Sequence, residues 1–102
     1  MSLKPFSMPA YVIFDIDVRD PQGYEEYKKQ GAPTLRLYAG RPLARGGKTE
    51  VLEGSWQPKR LVLLEFKSMA EAKRWWNSPE YNEAKKLRHR AASANVIFLE
   101  GI

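Results

Sequence analysis

Residues 60–66 (RLVLLEF) constrain the fold more than any other segment, because they form a strand pattern that is apolar on both faces. Only Arg60 and Glu65 interrupt the apolar run. Alternation of polar and apolar residues is typical of a strand with one face in water, whereas a run of this kind indicates cover on both faces. We therefore expect a strand here whose two faces are both covered.

Four further segments have the short β-branched or apolar pattern of strands, and they lie at residues 11–18, 41–45, 48–53 and 95–100. Gly46 and the glycine after it separate the second and third of these segments. Because paired glycines supply the positive φ that tight hairpin turns require, we expect a hairpin at this point.

Helix signals separate the strands. Asp20, followed directly by proline, is an N-cap signal for a helix that is expected to run to about Gln30. Gly31 and Pro33 predict a kink after this helix, and a second short helix to Tyr38.

Three more residues mark helix ends. Gly40 fits the C-terminal cap of the helical region before it. Ser68, with a glutamate three residues later, is a capping-box signal for a helix through about Trp76. A second cap-and-proline signal at Ser78 predicts a last helix through about Ala91. Since Trp76 follows another tryptophan, and neighbours on a helix point about 100° apart, one indole is expected inside and the other at a pocket or edge.

The order of elements, β-α-β-β-α-β with a hairpin extension, predicts an α+β, ferredoxin-like fold with an antiparallel sheet and its helices on one face. The other face would carry Tyr11, Ile13, Leu61 and Leu63. A face of this composition is too apolar to be exposed to water in a monomer. We therefore expect a homodimer in which two such faces close a barrel. Residues 1–9 are interpreted as a flexible leader, and residues 10–102 as one domain.

Composition excludes several classes of protein and site. The chain has no cysteine and a single histidine, His89, so neither a disulfide framework nor a Cys- or His-rich metal centre is expected. No apolar run approaches the roughly 18 residues that span a bilayer, and no secretory signal is evident. The chain is therefore expected to be soluble and cytoplasmic.

Several motifs, in order along the chain, resemble a known family: residues 9–13, 20–27, 45–47, 53–60, 65–66, 78–81 and 87–88. They are similar to the uncharacterised proteins called domain of unknown function 1330, and the resemblance covers residues 9–101. It implies the dimeric α+β barrel superfamily, which includes cofactor-independent antibiotic-biosynthesis monooxygenases, muconolactone isomerases and haem-binding relatives. No catalytic residue carries over from the family, and a shared fold does not establish a shared function.

The candidate binding residues follow the second strand and precede the central one. Arg45, Gly46 and Gly47 would present a guanidinium and backbone N–H groups to an anion, or would simply form a hairpin. Trp56 would stack on a planar ligand while Arg60 pairs with a carboxylate. Alternatively, Trp56 covers the edge of the core and Arg60 pairs with an aspartate of the first strand.

Two carboxylates are the candidate catalytic bases. Asp15 and Glu65 interrupt apolar strands, and a half-buried carboxylate has a raised pKa unless it is paired. Either residue would take a proton from a phenol or enol. An ion pair of Glu65 with Arg45 or Arg60 is the structural alternative.

These residues lead to three hypotheses about function. The first is a small enzyme without metal or organic cofactor, monooxygenase- or isomerase-like, that acts on an anionic or aromatic metabolite through an enolate-like anion. The second is a homodimer that binds a small ligand without catalysis. The third and least favoured is nucleic-acid binding, suggested by the net charge of +5 and by the cations of residues 73–90.

Overall fold

Residues 8–102, which a computed structural model describes, form a four-stranded antiparallel sheet with three helices. The elements follow one another as β1 (Ala10–Val18), α1 (Pro21–Leu37), β2 (Arg41–Arg45), β3 (Leu61–Phe66), α2 (Met69–Trp76), α3 (Pro79–Ala91) and β4 (Ala92–Glu100). The strand order is β2-β3-β1-β4. The predicted α+β, ferredoxin-like fold is confirmed.

The apolar segment that opened the sequence analysis is an inner strand, β3, which pairs with β2 on one side and β1 on the other. β1 is the second inner strand and pairs along its whole length with β4. The register places Val12 beside Leu64 on one side and Phe98 on the other. Because side chains alternate along a strand, these three residues share one face of the sheet.

The helices cover only one of the two faces of the sheet. The inner face, which the helices cover, holds the buried residues of the central strands: Ala10, Val12, Phe14, Ile16, Leu64 and Phe66. Within the described residues, no helix covers the outer face. Ile97 and Leu99, on β4, are 57% and 51% exposed there. Tyr11, Ile13, Leu61 and Leu63 share that face and are half-buried.

Helix α1 differs from its prediction, because Pro21–Leu37 is one continuous helix and not two segments. Pro33 lies on the exposed side of α1, where the loss of one backbone hydrogen bond costs little stability. Gly31 packs closely against α3. Packing against α3 thus overrides the local break signals. The predicted cap at Gly40 is also corrected: Ala39 takes the left-handed conformation, with φ 58°, and Gly40 N–H donates to Leu35 O at 2.9 Å.

The predicted hairpin is wrong in its second half. Arg41–Arg45 is a strand, but it pairs with β3, and residues 48–53 form no strand. The chain leaves β2 at Gly46, whose φ is 69° and whose N–H donates to Leu61 O at 2.7 Å. The glycine therefore makes the turn that the sequence indicated, while the long return to β3 is irregular.

The tryptophan pair divides as expected. Trp75 is buried and stacks on Tyr81, with ring centroids 4.0 Å apart, and its indole N–H donates to Thr34 Oγ1 at 2.9 Å. Trp76 is half-buried and lies against Phe98 of the edge strand. Trp75 thus joins all three helices.

The predicted N-terminal leader falls mostly on residues 1–7, which lie outside the described residues. At its end, Pro9 O accepts a hydrogen bond from Gly101 N–H at 2.7 Å, so the two ends of the described chain meet. Within residues 8–102, none of the three helices has the length and apolar character that crossing a bilayer requires.

Substituting Gly40 tests the close approach between the α1–β2 turn and the core. A Cβ at this position would lie 2.5 Å from Phe66 Cε2, and the Phe66 ring is buried and cannot move away freely. We expect Gly40→Ala to lower the free energy of unfolding by about 1–3 kcal/mol, measured by chemical denaturation. Gly47→Ala is the matched control, because nothing lies within 4 Å of a Cβ there. Equal stability of the two variants would contradict the packing described.

Candidate functional site

A cavity of about 90 Å³ lies between α1 and the inner face of the sheet. Its walls are apolar and aromatic on most sides, and its polar rim is cationic. The lining residues are Phe14, Ile16, Tyr24, Tyr27, Lys28, Gly31, Ala32, Leu35, Arg45, Arg60, Val62, Leu64 and Trp75. No carboxylate is among them. An apolar cavity with a few convergent polar groups is the usual form of a small-molecule site.

Arg60 is the half-buried cation of this cavity. It precedes β3, and its carbonyl accepts a hydrogen bond from Ile16 N–H at 2.9 Å, which ties it to the inner strand. Its Nε donates to Tyr24 Oη at 3.2 Å, and the guanidinium lies 5.4 Å from the centre of the same ring. None of the ion pairs formed within residues 8–102 involves Arg60.

The Arg45-Gly46-Gly47 motif contributes to the cavity through its arginine. Arg45 lines the cavity at the end of β2 and has no carboxylate partner in the described part of the chain. The Gly46 N–H is already engaged by a strand carbonyl, and a Cβ at Gly46 would collide with the Arg60 guanidinium. Gly46 therefore permits the close approach of Arg60, whereas Gly47 stands in open space.

Tyr27, which lines the cavity, is hydrogen-bonded to Tyr81 behind it, and both are neutral phenols. Tyr27 Oη and Tyr81 Oη form a hydrogen bond of 2.9 Å. Burial raises the pKa of Tyr27 well above its usual value, and the neighbouring Tyr81 raises it further. Burial also raises the pKa of Tyr81. Both phenols are therefore neutral near pH 7, so the pair can donate a hydrogen bond to an anion but cannot serve as a base.

Asp15 and Trp56 lie on the outer face, away from the cavity. Asp15 alternates with Phe14 and Ile16, which line the cavity, so its side chain points to the opposite side of β1. Its Oδ2 accepts from Trp56 Nε1 at 2.9 Å and its Oδ1 accepts from Lys59 N–H at 2.9 Å. Asp15 thus fastens the loop between β2 and β3 to the sheet.

Glu65 also lies on the outer face, since its neighbours Leu64 and Phe66 point into the core. Its Oε1 accepts from Arg41 Nε at 2.7 Å. This ion pair joins β2 to β3 across the sheet, with Arg41 as the partner instead of the two arginines considered from the sequence. Within one chain, neither carboxylate reaches a ligand in the cavity.

The structure thus brings Arg45 and Arg60 together at the cavity, where Gly46 permits the close approach of Arg60. The other candidate residues lie on the outer face of the sheet: Asp15, Glu65 and Trp56. Tyr24 and Tyr27 also line the cavity, and neither is among the candidate residues of the sequence analysis. The helical spacing of these tyrosines beside an arginine-rich strand end was the available signal, because both can face the sheet from α1.

No group of three or more carboxylates and histidines among residues 8–102 is arranged to hold a metal ion. The cavity's polar groups are guanidinium, ammonium and phenol, which bind anions and repel cations at neutral pH. Such groups can hold an anion and can favour the ionised form of an acid that lies beside them.

Removing the Asp15 carboxylate tests its role as a fastener. Asp15→Ala removes two acceptors at once, and we expect it to lower the free energy of unfolding by about 1–2 kcal/mol and to speed proteolysis within residues 47–59. Asp17→Ala is the control, because Asp17 is exposed on the same strand face and forms no ion pair within the described residues. Proteolysis at equal rates in both variants would contradict this role.

Solved structures with a similar fold come from several bacteria. A protein of unknown function from Rhodopseudomonas palustris is 20% identical, with a TM-score of 0.76, covering 94% of this chain and 84% of its own. A dimeric protein of unknown function with a ferredoxin-like fold, from Bacteroides fragilis, is 15% identical, with a TM-score of 0.63 and coverage of 93% and 98%.

A third structure, SnoaB, a cofactor-independent oxygenase from Streptomyces nogalater, is 12% identical, with a TM-score of 0.57 and coverage of 91% and 92%. At these identities the likeness establishes the fold alone. No curated protein matches the sequence. The profile of the family described as "Domain of unknown function (DUF1330)" matches residues 9–102, nearly the whole chain. The chain belongs to this family.

Proposed function

We propose that the cavity between α1 and the sheet binds a small aromatic or enolisable anion, and that the protein acts on it as a cofactor-independent oxygenase or isomerase. The observation that carries the proposal is Arg60, a half-buried guanidinium that faces the cavity without a carboxylate partner in the described residues. A partly dry guanidinium favours planar anions, with about 1.5–3 kcal/mol for each charged hydrogen bond.

The chemistry follows from the charges around the ligand. Arg45 and Arg60 would lower the pKa of a bound phenol or enol, so that the ligand ionises without a carboxylate base beside it, whereas Lys28 is already paired with Glu25 at 2.8 Å. In an isomerisation, one carbon would lose a proton and another carbon of the same anion would gain one. In an oxygenation, an activated CH₂ group and O₂ would give a carbonyl group and water, with the electrons supplied by the substrate.

Two observations support an apolar, aromatic ligand body. Trp75 and Phe14 form part of the cavity wall, and both are at least nine-tenths buried. The likeness in fold to a cofactor-independent oxygenase is consistent with this chemistry but is not specific to it. Binding without turnover is the second candidate, and the absence of a carboxylate from the cavity lining favours it.

Arg60→Met tests the cavity directly. With a panel of aromatic carboxylates and phenols, we expect the dissociation constant to rise tenfold or more, measured by calorimetry. Arg45→Met is a second variant, on a more exposed side chain, for the case that Arg60→Met unfolds. Arg36→Met is the control, because it removes the same charge from the exposed side of α1.

The outcomes separate the three hypotheses. Loss of binding in both cavity variants, with wild-type binding in Arg36→Met, supports the site, and consumption of O₂ or isomerisation without added cofactor supports the enzyme. If no compound in the panel binds the wild-type protein, the cavity site is wrong. A gel shift that weakens with salt would favour nucleic acid instead. Lys86 and Arg74 already pair with Glu83 and Glu71, which reduces the positive potential of α2 and α3.

We also propose that the outer face pairs with a second copy of this chain to form a dimeric α+β barrel. Ile97 and Leu99 are more than half exposed on this face. Leu63, on the inner strand β3, lies on the same face between β1 and β2. An apolar patch of this kind usually marks an interface. The similar structure from Bacteroides fragilis is that of a dimeric protein, which supports a dimer.

Leu63→Glu tests the dimer, because it places a charge in the centre of the proposed interface. We expect the wild-type protein to have about twice the 11.7 kDa mass of one chain in light scattering at micromolar concentration, and Leu63→Glu to shift it toward that mass. Leu52→Glu, at a residue 94% exposed in the loop, is the control. A wild-type monomer would overturn the proposal.

A further inference from the structure

We infer that a second site, distinct from the cavity, binds a small carboxylate with an apolar body in a groove beside β4. The groove has a volume of about 430 Å³ and lies between the helices and the inner side of the edge strand. We call it the β4 groove, and its lining residues are Arg19, Trp76, Arg88, His89, Ala92, Ser93, Ala94 and Val96.

The inference rests first on Arg88, which is only 3% exposed. Its guanidinium lies 5.4 Å from the ring centre of Phe14 and 5.9 Å from that of Trp76. The Nε–H has no hydrogen-bond acceptor, and no ion pair within residues 8–102 includes Arg88. Aromatic rings offset part of the cost of a buried cation, yet a buried charge is normally paired with an anion.

The groups around Arg88 leave its charge uncompensated. The pKa of His89 is lowered by burial and by Arg88, and the pKa of Lys85 is lowered by the same two causes. Asp20, the acidic residue next to Arg19, accepts a hydrogen bond from Gly23 N–H at 3.2 Å and so caps α1. The β4 groove has two arginines and a histidine in its lining, and no acid.

The remaining lining defines the rest of the ligand. Trp76 of α2 and the residues Ala94 and Val96 of β4 supply the apolar part of the lining, and the cations come from α3 and the β1–α1 turn. A guanidinium pairs best with a planar carboxylate through two parallel hydrogen bonds. The combination fits an aromatic or branched aliphatic carboxylate, with its acid group toward Arg88 and Arg19.

The β4 groove is separate from the cavity of the proposed function. Phe14 and Tyr27 line the cavity, and the Arg88 guanidinium lies against the rings of both, so these two rings divide the sites. Binding in the groove therefore does not depend on Arg45 or Arg60. A failure at one site leaves the other site testable.

The test is a titration of the ¹⁵N-labelled protein with benzoate, followed through the Arg88 Nε–H resonance. We expect a saturable shift, and a dissociation constant about tenfold higher in Arg19→Gln, which removes an exposed charge of the groove. Arg90→Gln is the control, because Arg90 is exposed on α3 and does not line the groove. The titration is repeated in Arg60→Met, where the groove affinity is expected to persist.

Five results would overturn the inference. They are no saturable shift with benzoate, equal weakening in Arg19→Gln and Arg90→Gln, equal binding of neutral benzamide, binding of inorganic phosphate in place of benzoate, and loss of the shift in Arg60→Met. The first would leave Arg88 as a structural cation held by aromatic rings. Loss of the shift in Arg60→Met would assign the binding to the cavity instead. Arg88→Lys is a further variant. It keeps the positive charge but cannot form the two parallel hydrogen bonds of a guanidinium, so we expect it to bind benzoate more weakly.

Discussion

The arrangement of both candidate sites depends on the contact between Trp75 and Tyr81. Their rings stack with centroids 4.0 Å apart, and the Trp75 indole also donates to Thr34 on α1 and packs on Phe66 of β3. One side chain thus holds three helices and the sheet together. Since stacked aromatic rings bury a large apolar area and the indole N–H is satisfied, this contact sets the height of α1 above the sheet, and with it the cavity.

Alternation along the inner strands then decides which charged groups meet. Glu65 and Asp15 lie on the outer face, while Arg45 and Arg60 reach the inner side, so the sheet separates these two carboxylates from these two arginines. The consequence is an apolar cavity whose rim is positive. Arg88 extends the same asymmetry to the far side of Phe14, where a buried cation again lacks an acidic partner in the described residues.

Local signals predicted the elements better than their ends. Half of the predicted capping box at Ser68 forms: Ser68 Oγ accepts from Glu71 N–H at 3.2 Å, whereas the Glu71 carboxylate accepts from Arg74 and not from the Ser68 amide. Gly31 and Pro33 suggested a break that the packing of α1 against α3 prevents. Residues 48–53 have a strand-like composition, yet they form no strand, although β2, their expected hairpin partner, is an edge strand that pairs only with β3.

The sequence by itself determined the order of elements, the two-sided apolar character of β3 and the positive net charge, because these depend on periodicity and composition alone. It also indicated Arg45 and Arg60 as a binding pair. Only the tertiary structure decided that Asp15 and Glu65 bond to Trp56 and Arg41, and that Arg88 is buried with no acidic partner among residues 8–102 and no acceptor for its Nε–H. Pairing between residues distant in the chain depends on strand register and helix packing, which no local pattern encodes.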